Sequence, residues 1–417
     1  MKILILSCNT GEGHNSSAKA IKLAMDARGG IESEVKDTLS LVSADVSKNV
    51  SDIYIYSTRN SLFEKAYKIG RRVSDFDSSF KSPIYMANKL YAKQLYDYVI
   101  SGGYDAVVCT HLFPAEALTA LKRNADLKVP VLFVMTDYTC IPFLPETELD
   151  AYVIPHQDLI EEFVEKGLPR EKLLPFGIPV DESRFLDRTD RRQARLELLS
   201  GLLANRPETL TDSATEAGPA PAVEPTAASG TANPDTSAPA VEPDTEGRWM
   251  LVMGGSMGFG NMGGLISCIL EKCSERDRVI CVCGRNEEQR SSLASRFADC
   301  PQFRAIGYTD QIPLLMDACD VLFSKPGGIT STEAAIRNIP LVHTAPIPGV
   351  EDRNALFFHY HNMSYSSKDP QQQALVAFRL CDDKQYRQRM TDAQARNSNT
   401  HCCEDIIDYL EIMTNKQ

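Results

Sequence analysis

The sequence predicts an α/β protein made of two doubly wound halves facing each other across a cleft, and three patterns carry that prediction. Short apolar runs alternate with helical runs in both halves. A glycine-rich turn follows the first apolar run of each half. Between them lies a stretch too poor in apolar residues to build a core, so the chain divides itself.

Residues 3–6 read as a short buried strand, 16–27 as a helix with alanines on one face, and 32–35 as a second strand. The runs 106–110, 131–135 and 151–154 are apolar without alternation and end in polar turns, the pattern of strands covered on both faces. From about residue 206 to 247 the composition falls to Ala, Pro, Thr, Glu and Ser, and Pro-Ala-Val-Glu-Pro occurs at both 221–225 and 239–243. Without aromatic side chains, such a segment cannot bury enough surface to offset its ordering entropy. The pattern restarts with strand 249–253, a glycine turn and helix 265–273. Strands 279–282, 303–306 and 320–323 follow, then a helix over 331–336. The apolar helical run 406–413 is expected to pack back on the first half. The chain therefore reads as an N-terminal domain 1–185, a disordered insertion 200–247, a C-terminal domain 248–398 and a closing helix 399–417. Both domains are Rossmann-like, and such sheets take ligands at the carboxyl ends of their strands.

A net charge of −12 argues against nucleic acid as a partner, which needs a basic face. The apolar opening turns polar at Ser7, too short for a signal-peptide core, and no later run approaches the ~20 apolar residues of a membrane span. The protein is expected in the cytoplasm, peripheral on a membrane at most. Its 12 cysteines include no Cys-x-x-Cys pair. Cys281 and Cys283 are expected on opposite strand faces, and Cys8, Cys109 and Cys319 sit in apolar runs as small hydrophobes. No metal site is read from them.

Four constellations carry chemistry. Lys325-Pro-Gly-Gly-Ile-Thr-Ser-Thr-Glu333 ends a strand and opens a helix, so Gly327, Gly328 and Thr330 offer backbone N–H groups where helix dipoles favour an anion. Glu333, one turn on, is placed to accept the hydroxyls of a ribose. The following loop carries Glu351 and Asn354, able to hold a group attached to the nucleotide. A diphosphate plus a ribose is a nucleotide, and the whole reads as a nucleotide-sugar site. The turn Gly254-Gly255-Ser256 lacks the Lys-Ser/Thr of a P-loop but allows close approach to phosphate, with Ser256 as a donor. The strand-end pair Gly284-Arg285 and Tyr308 would border a nucleobase. Finally, Gly11-Glu12-Gly13-His14 follows the first strand, with Ser16 where a dinucleotide fingerprint has its third glycine. His14 there either caps the helix or accepts a proton from an attacking alcohol.

Together with Thr136-Asp137-Tyr138, Phe176-Gly-Ile-Pro179, Met253-Gly-Gly-Ser256 and Pro346-Ile-Pro-Gly-x-Glu351-x-x-Asn354, these motifs occur in an order that resembles the monogalactosyldiacylglycerol synthase and processive diacylglycerol glucosyltransferase family. That family is similar in turn to the transferase adding N-acetylglucosamine to the lipid-linked peptidoglycan precursor. The resemblance spans nearly the whole chain outside the insertion. It implies a GT-B fold and an inverting, metal-independent transfer of a hexose from a UDP-sugar to a lipid hydroxyl, with no cofactor. It further implies His14 as base, Gly327, Gly328 and Thr330 on the diphosphate, Glu333 on the ribose, and Glu351 and Asn354 on the donor sugar. Gly13, Asp137 and His111 fall on the acceptor side.

Between residues 59 and 97 eight basic residues stand against four acidic ones, interleaved with Phe63, Tyr67, Phe76, Phe80, Tyr85 and Tyr91. Such a stretch suits an anionic membrane surface, or equally a solvated helix pair with its rings turned inward. Two other functions share the donor site. A UDP-sugar epimerase would need a carboxylate at the sugar, for which Glu12 is the candidate. A non-catalytic UDP-sugar sensor would bind without turnover.

Overall fold

The computed structural model describes residues 1–9, 12–41, 82–124, 127–203, 245–255 and 262–415. Gly11, Ser256, residues 59–81 of the basic stretch and nearly all of the insertion lie outside them. The first sheet contains β1 (Lys2–Ser7), β2 (Glu32–Asp37), β3 (Ala106–Cys109), β4 (Val131–Val134), β5 (Ala151–Val153) and β6 (Leu173–Leu174). The second contains β7 (Trp249–Met253), β8 (Arg278–Val282), β9 (Phe303–Ile306), β10 (Val321–Ser324), β11 (Leu341–His343) and β12 (Tyr365–Ser366). Their orders are β2-β1-β3-β4-β5-β6 and β12-β11-β10-β7-β8-β9, and every pairing is parallel.

Helices cover both faces of each sheet, which is why the strands lack alternation: Ile3 to Leu6 and Trp249 to Leu251 are fully buried. Strand order reverses between β1 and β3, and again between β7 and β10. At both points a crevice opens beyond the carboxyl ends, where a doubly wound sheet takes its ligand. The two crevices face each other, since a Cβ on Gly13 would stand 3.4 Å from Ile329 Cγ1 of the other domain. Five helices place the site and its supports: α1 (Glu12–Arg28), α2 (Arg191–Ser200), α3 (Gly328–Ile336), α4 (Val350–Tyr360) and α5 (Cys402–Asn415).

Some expectations shift. The helix read at 265–273 runs from Met262 to Leu270, and α3 begins three residues before 331, with Gly327 as its N-cap. Cys281 and Cys283 do not face apart: residues two apart on a strand share a face, and their sulfurs lie 3.9 Å from each other. Tyr85 and Tyr91 of the basic stretch are buried, while their neighbours Met86 and Leu90 are 55% and 83% exposed. Those two rings pack inward and are not offered to a membrane. No helix among the described residues is long and apolar enough to cross a bilayer.

Helix α5 buries Cys402, Cys403, Ile406, Ile407 and Leu410 in one cluster with Ile3, Ile5, Ala18 and Ile21 of the first domain. Helix α2 belongs with the second domain, held by charge. Buried Arg195 donates to Asp320 at 2.7 Å and to the Ala318 carbonyl at 2.8 Å, and stacks over Trp249. Asp320 also accepts from Arg191 at 2.6 Å and from the Trp249 N–H at 2.9 Å. Removing one member of such a buried pair strands the other charge. Asp320→Ala is therefore expected to cost ~3–5 kcal/mol, read as a lowered midpoint in urea unfolding of the second domain.

Candidate active site

The strand-to-helix turn after β1 sets His14 in the first turn of α1, beside the end of β3. Its Nδ1 lies 2.7 Å from the Thr110 carbonyl oxygen. A carbonyl can only accept, so Nδ1 carries the proton and Nε2 keeps a lone pair. The Thr136 hydroxyl is 3.1 Å from the same Nδ1. Desolvation by burial lowers the His14 pKa below 6.5, opposed by the Thr110 bond. These contacts fix the orientation of the imidazole and leave Nε2 as the nitrogen that does not face Thr110. His111 meets it edge-on, ring centroids 4.6 Å apart, and accepts from the Phe113 N–H. Burial, and then the neighbouring His14, push His111 well below the usual histidine range.

Across the cleft, Thr136-Asp137-Tyr138 of the first domain sits on the N-terminus of α3. Asp137 lies against that N-terminus, its Cα 3.2 Å from where a Cβ on Gly328 would stand. Asn354 Nδ2 donates to the Asp137 carboxylate at 2.8 Å and to the Pro326 carbonyl at 3.0 Å, while Asn354 Oδ1 accepts the Tyr138 N–H at 2.7 Å. Tyr138 completes the seam through its hydroxyl, 2.9 Å from Thr332 Oγ1. Burial raises Asp137 to about 7, helped by the nearby Glu351 and opposed by the Asn354 hydrogen bond. Asn354, expected on a donor sugar, is thus fully buried at the domain seam in this juxtaposition. Glu351 receives Lys325 Nζ at 2.9 Å and the Ile347 N–H at 2.6 Å.

The remaining expected residues gather along the same carboxyl edge. Gly255 adopts φ +74°, and a Cβ there would meet Lys325 at 3.6 Å, which sets the β7 turn beside the α3 turn. Gly327 faces open space and Thr330 is half-buried. Arg285 lies over the exposed Tyr308 ring at 5.3 Å and pairs with Glu12 of the first domain at 2.8 Å, bringing two sequence-distant loops together. Burial lifts Glu333 to about 8, with Arg184 pulling it down and Asp181 pushing it up. Two residues gained no role from the sequence. Thr136 meets His14 at 3.1 Å, and Lys325 pairs with Glu351 at 2.9 Å beside the α3 turn. Both stand inside motifs that were recognised, but only the fold shows what they touch.

Two parallel doubly wound domains with opposed switch points make the GT-B fold, and the families that its halves match make the protein a glycosyltransferase. The chain is similar, half by half, to two families. Residues 14–180 match the monogalactosyldiacylglycerol (MGDG) synthase family, and residues 249–400 match the glycosyltransferase family 28 C-terminal domain. A processive diacylglycerol beta-glucosyltransferase of Staphylococcus epidermidis is 24% identical over 98% of this chain and 93% of its own length. Among solved structures, Acinetobacter baumannii MurG aligns with a TM-score of 0.57 at 12% identity, covering 98% of this chain and 99% of that one. UDP-GlcNAc 2-epimerase from Neisseria meningitidis, bound to UDP-GlcNAc, aligns at 0.58 and 13% identity over 98% and 99% of the two chains. At these identities both structures share the fold.

A Cβ at residue 328 would stand 1.9 Å from the Thr136 carbonyl oxygen. Gly328→Ala therefore has to move the 136–138 segment off α3. The expected result is loss of the Tyr138–Thr332 contact, seen as new solvent accessibility of this seam in hydrogen exchange, with each domain still folded. Asp137 gives a pH signature. Its folded value of about 7 lies above its ordinary 3.8, so between these values the folded state holds a proton that the unfolded state has released. Stability should fall as pH rises through that window. Asp137→Asn is expected to flatten this slope in thermal midpoints measured from pH 5 to 8.

Proposed function

We propose that this protein transfers a hexose from a UDP-sugar to the hydroxyl of a diacylglycerol-type lipid, with inversion to a β-glycoside. One observation carries the reading. His14, with Nδ1 tied to a carbonyl and Nε2 basic, lies across the cleft from the N-terminus of the helix that bears Glu333. The diacylglycerol acceptor and UDP donor rest on the relative and the nucleotide-bound neighbour named above.

In this mechanism the lipid hydroxyl gives its proton to His14 Nε2 as its oxygen attacks the anomeric carbon. The bond from that carbon to the β-phosphate oxygen breaks on the opposite face, and UDP leaves with the electron pair. The amides of Gly327, Gly328 and Thr330, the α3 dipole and the Lys325 ammonium offset the charge that develops on the diphosphate. Glu333 accepts the ribose hydroxyls, and Gly284, Arg285 and Tyr308 flank the base. Gly254, Gly255 and Ser256 allow close approach on the phosphate side, and Glu351 holds the sugar. Asn354 reaches a sugar only when the seam with Asp137 loosens, so donor entry goes with a rotation of the domains. No metal or cofactor takes part. The acceptor is drawn from the cytoplasmic face of an anionic membrane, on which the protein is peripheral.

UDP release, followed with UDP-glucose, UDP-galactose and UDP-N-acetylglucosamine, with and without diacylglycerol in anionic liposomes, tests the reading. Release that needs one donor together with the lipid supports it. Release without any acceptor would favour an epimerase, although its candidate carboxylate, Glu12, is paired with Arg285. Binding of UDP without turnover would favour a sensor. His14→Ala is expected to lower kcat by about 10²–10⁴-fold with unchanged UDP affinity. The lowered pKa of His14 places the acid limb of kcat/KM below pH 6.5. Glu333→Gln is expected to weaken UDP binding by roughly tenfold, read by calorimetry.

A further inference from the structure

His156 and Asp158 leave the end of β5 in the first domain, and His361 caps the end of α4 in the second. Among the described residues, these three side chains bring one metal-ligating atom each to within 4.8 Å of one another. None of the motifs above includes them. Both imidazoles are half-buried and the Asp158 carboxylate is mostly exposed, so an ion has a way in from solvent.

The hydrogen bonds of His361 are informative. Its Nδ1 lies 2.9 Å from the Phe357 carbonyl oxygen, which can only accept, so the proton of the neutral ring is on Nδ1. Its Nε2 lies 2.9 Å from Asp158 Oδ2. A bare nitrogen lone pair facing a carboxylate at that distance is repulsive, and a cation has to lie between them. That cation is either a second proton on the ring or a metal ion. His156 differs: its Nδ1 stands 3.6 Å from the same carboxylate oxygen but accepts the Asp158 N–H at 3.2 Å, a bond that it gives up if that atom takes a metal. A backbone carbonyl fixing the far nitrogen of a histidine is the usual way of aiming the near one at a metal. Phe357 locks the ring orientations, stacked on His361 at 4.0 Å and edge-on to His156 at 5.3 Å.

We propose that His156, Asp158 and His361 form a divalent-cation site of the Zn²⁺ class that fastens the two domains in this juxtaposition. Two imidazoles and one carboxylate suit Zn²⁺, with water in the fourth position, while Ca²⁺ and Mg²⁺ prefer oxygen ligands. Ligand bonds of ~2.0–2.2 Å put ligand atoms about 3.3 Å apart in a tetrahedron. Atoms as far as 4.8 Å apart would have to close by about 1.5 Å to reach that spacing. The ion would sit outside the transfer chemistry and act on it by coupling. Phe357 also stacks on Tyr138 at 4.6 Å, the neighbour of Asp137 at the seam. Fastening His361 to Asp158 therefore resists the same rotation that frees Asn354.

The full chain, stripped with chelator, is titrated with Zn²⁺ against a chromophoric chelator and separately with Co²⁺, whose absorption distinguishes nitrogen and oxygen ligands from thiolate. The expected result is one ion with a nitrogen/oxygen spectrum and a raised thermal midpoint. Asp158→Asn and His361→Ala should each weaken binding by at least about tenfold and abolish the thermal shift. Asp158 is exposed, so its variant keeps the fold even if loss of the His361 ring disturbs packing on Phe357. Three results would overturn the proposal: thiolate absorption from cysteine binding, equal affinity in both variants, or no binding at micromolar Zn²⁺. The last would mean that a proton alone bridges His361 and Asp158. None of these readouts depends on sugar transfer.

Discussion

The structure turns on one contact, the seating of Thr136-Asp137-Tyr138 on the N-terminus of α3. A helix N-terminus presents unpaired amides and a positive dipole end, and here a segment of the opposite domain packs directly on it. The same segment orients His14 through Thr136, engages Asn354 through the Tyr138 amide and packs Tyr138 against Phe357 and Phe358. His14, the α3 N-terminus and the domain seam thus meet at a single junction. Burial lifts the Asp137 carboxylate towards neutrality.

Much of this was legible in the sequence, for physical reasons. Strands covered on both faces have to be continuously apolar, so β1, β3, β4, β7, β8 and β10 stand out as runs of Ile, Leu, Val, Phe and Cys. Glycines that admit close backbone approach mark the switch points, which is why Gly13, Gly255 and Gly328 could be placed at the cleft. The edge strands β6 and β12, two residues each, and the three-residue β11 carry too little pattern to be seen. The partners of a site residue are less legible still. The Thr110 carbonyl that sets the tautomer of His14 is 96 positions away, and Asn354 is 217 from the Asp137 it holds. Pattern reports which face a residue occupies, but not which face meets it. The trio of His156, Asp158 and His361 is the extreme case, assembled by the fold from two unremarked loops.

The cysteines show the same logic in reverse. Eight of the twelve are buried, and desolvation raises thiols such as Cys8, Cys109, Cys319 and Cys402 above their ordinary range. A thiol held neutral is a poor nucleophile and a poor metal ligand. Their use as small core hydrophobes follows from where they sit, not from how they are spaced.

The chain passes between its domains twice, and the two passages run side by side. Asn399 donates to the Phe176 carbonyl at 2.7 Å, a Cβ on Gly177 would stand 3.5 Å from Asn399, and the Cys403 N–H donates to Glu182 at 2.9 Å. A single tether would let one domain swivel about a point in any direction. Two adjacent tethers leave only a line to turn about, as a pair of pins makes a door hinge. A turn about that line would move Phe176 and Asn399 least and the lips of the cleft most. Every bond across that cleft becomes a latch on the same door, and its leverage grows with its distance from the pins.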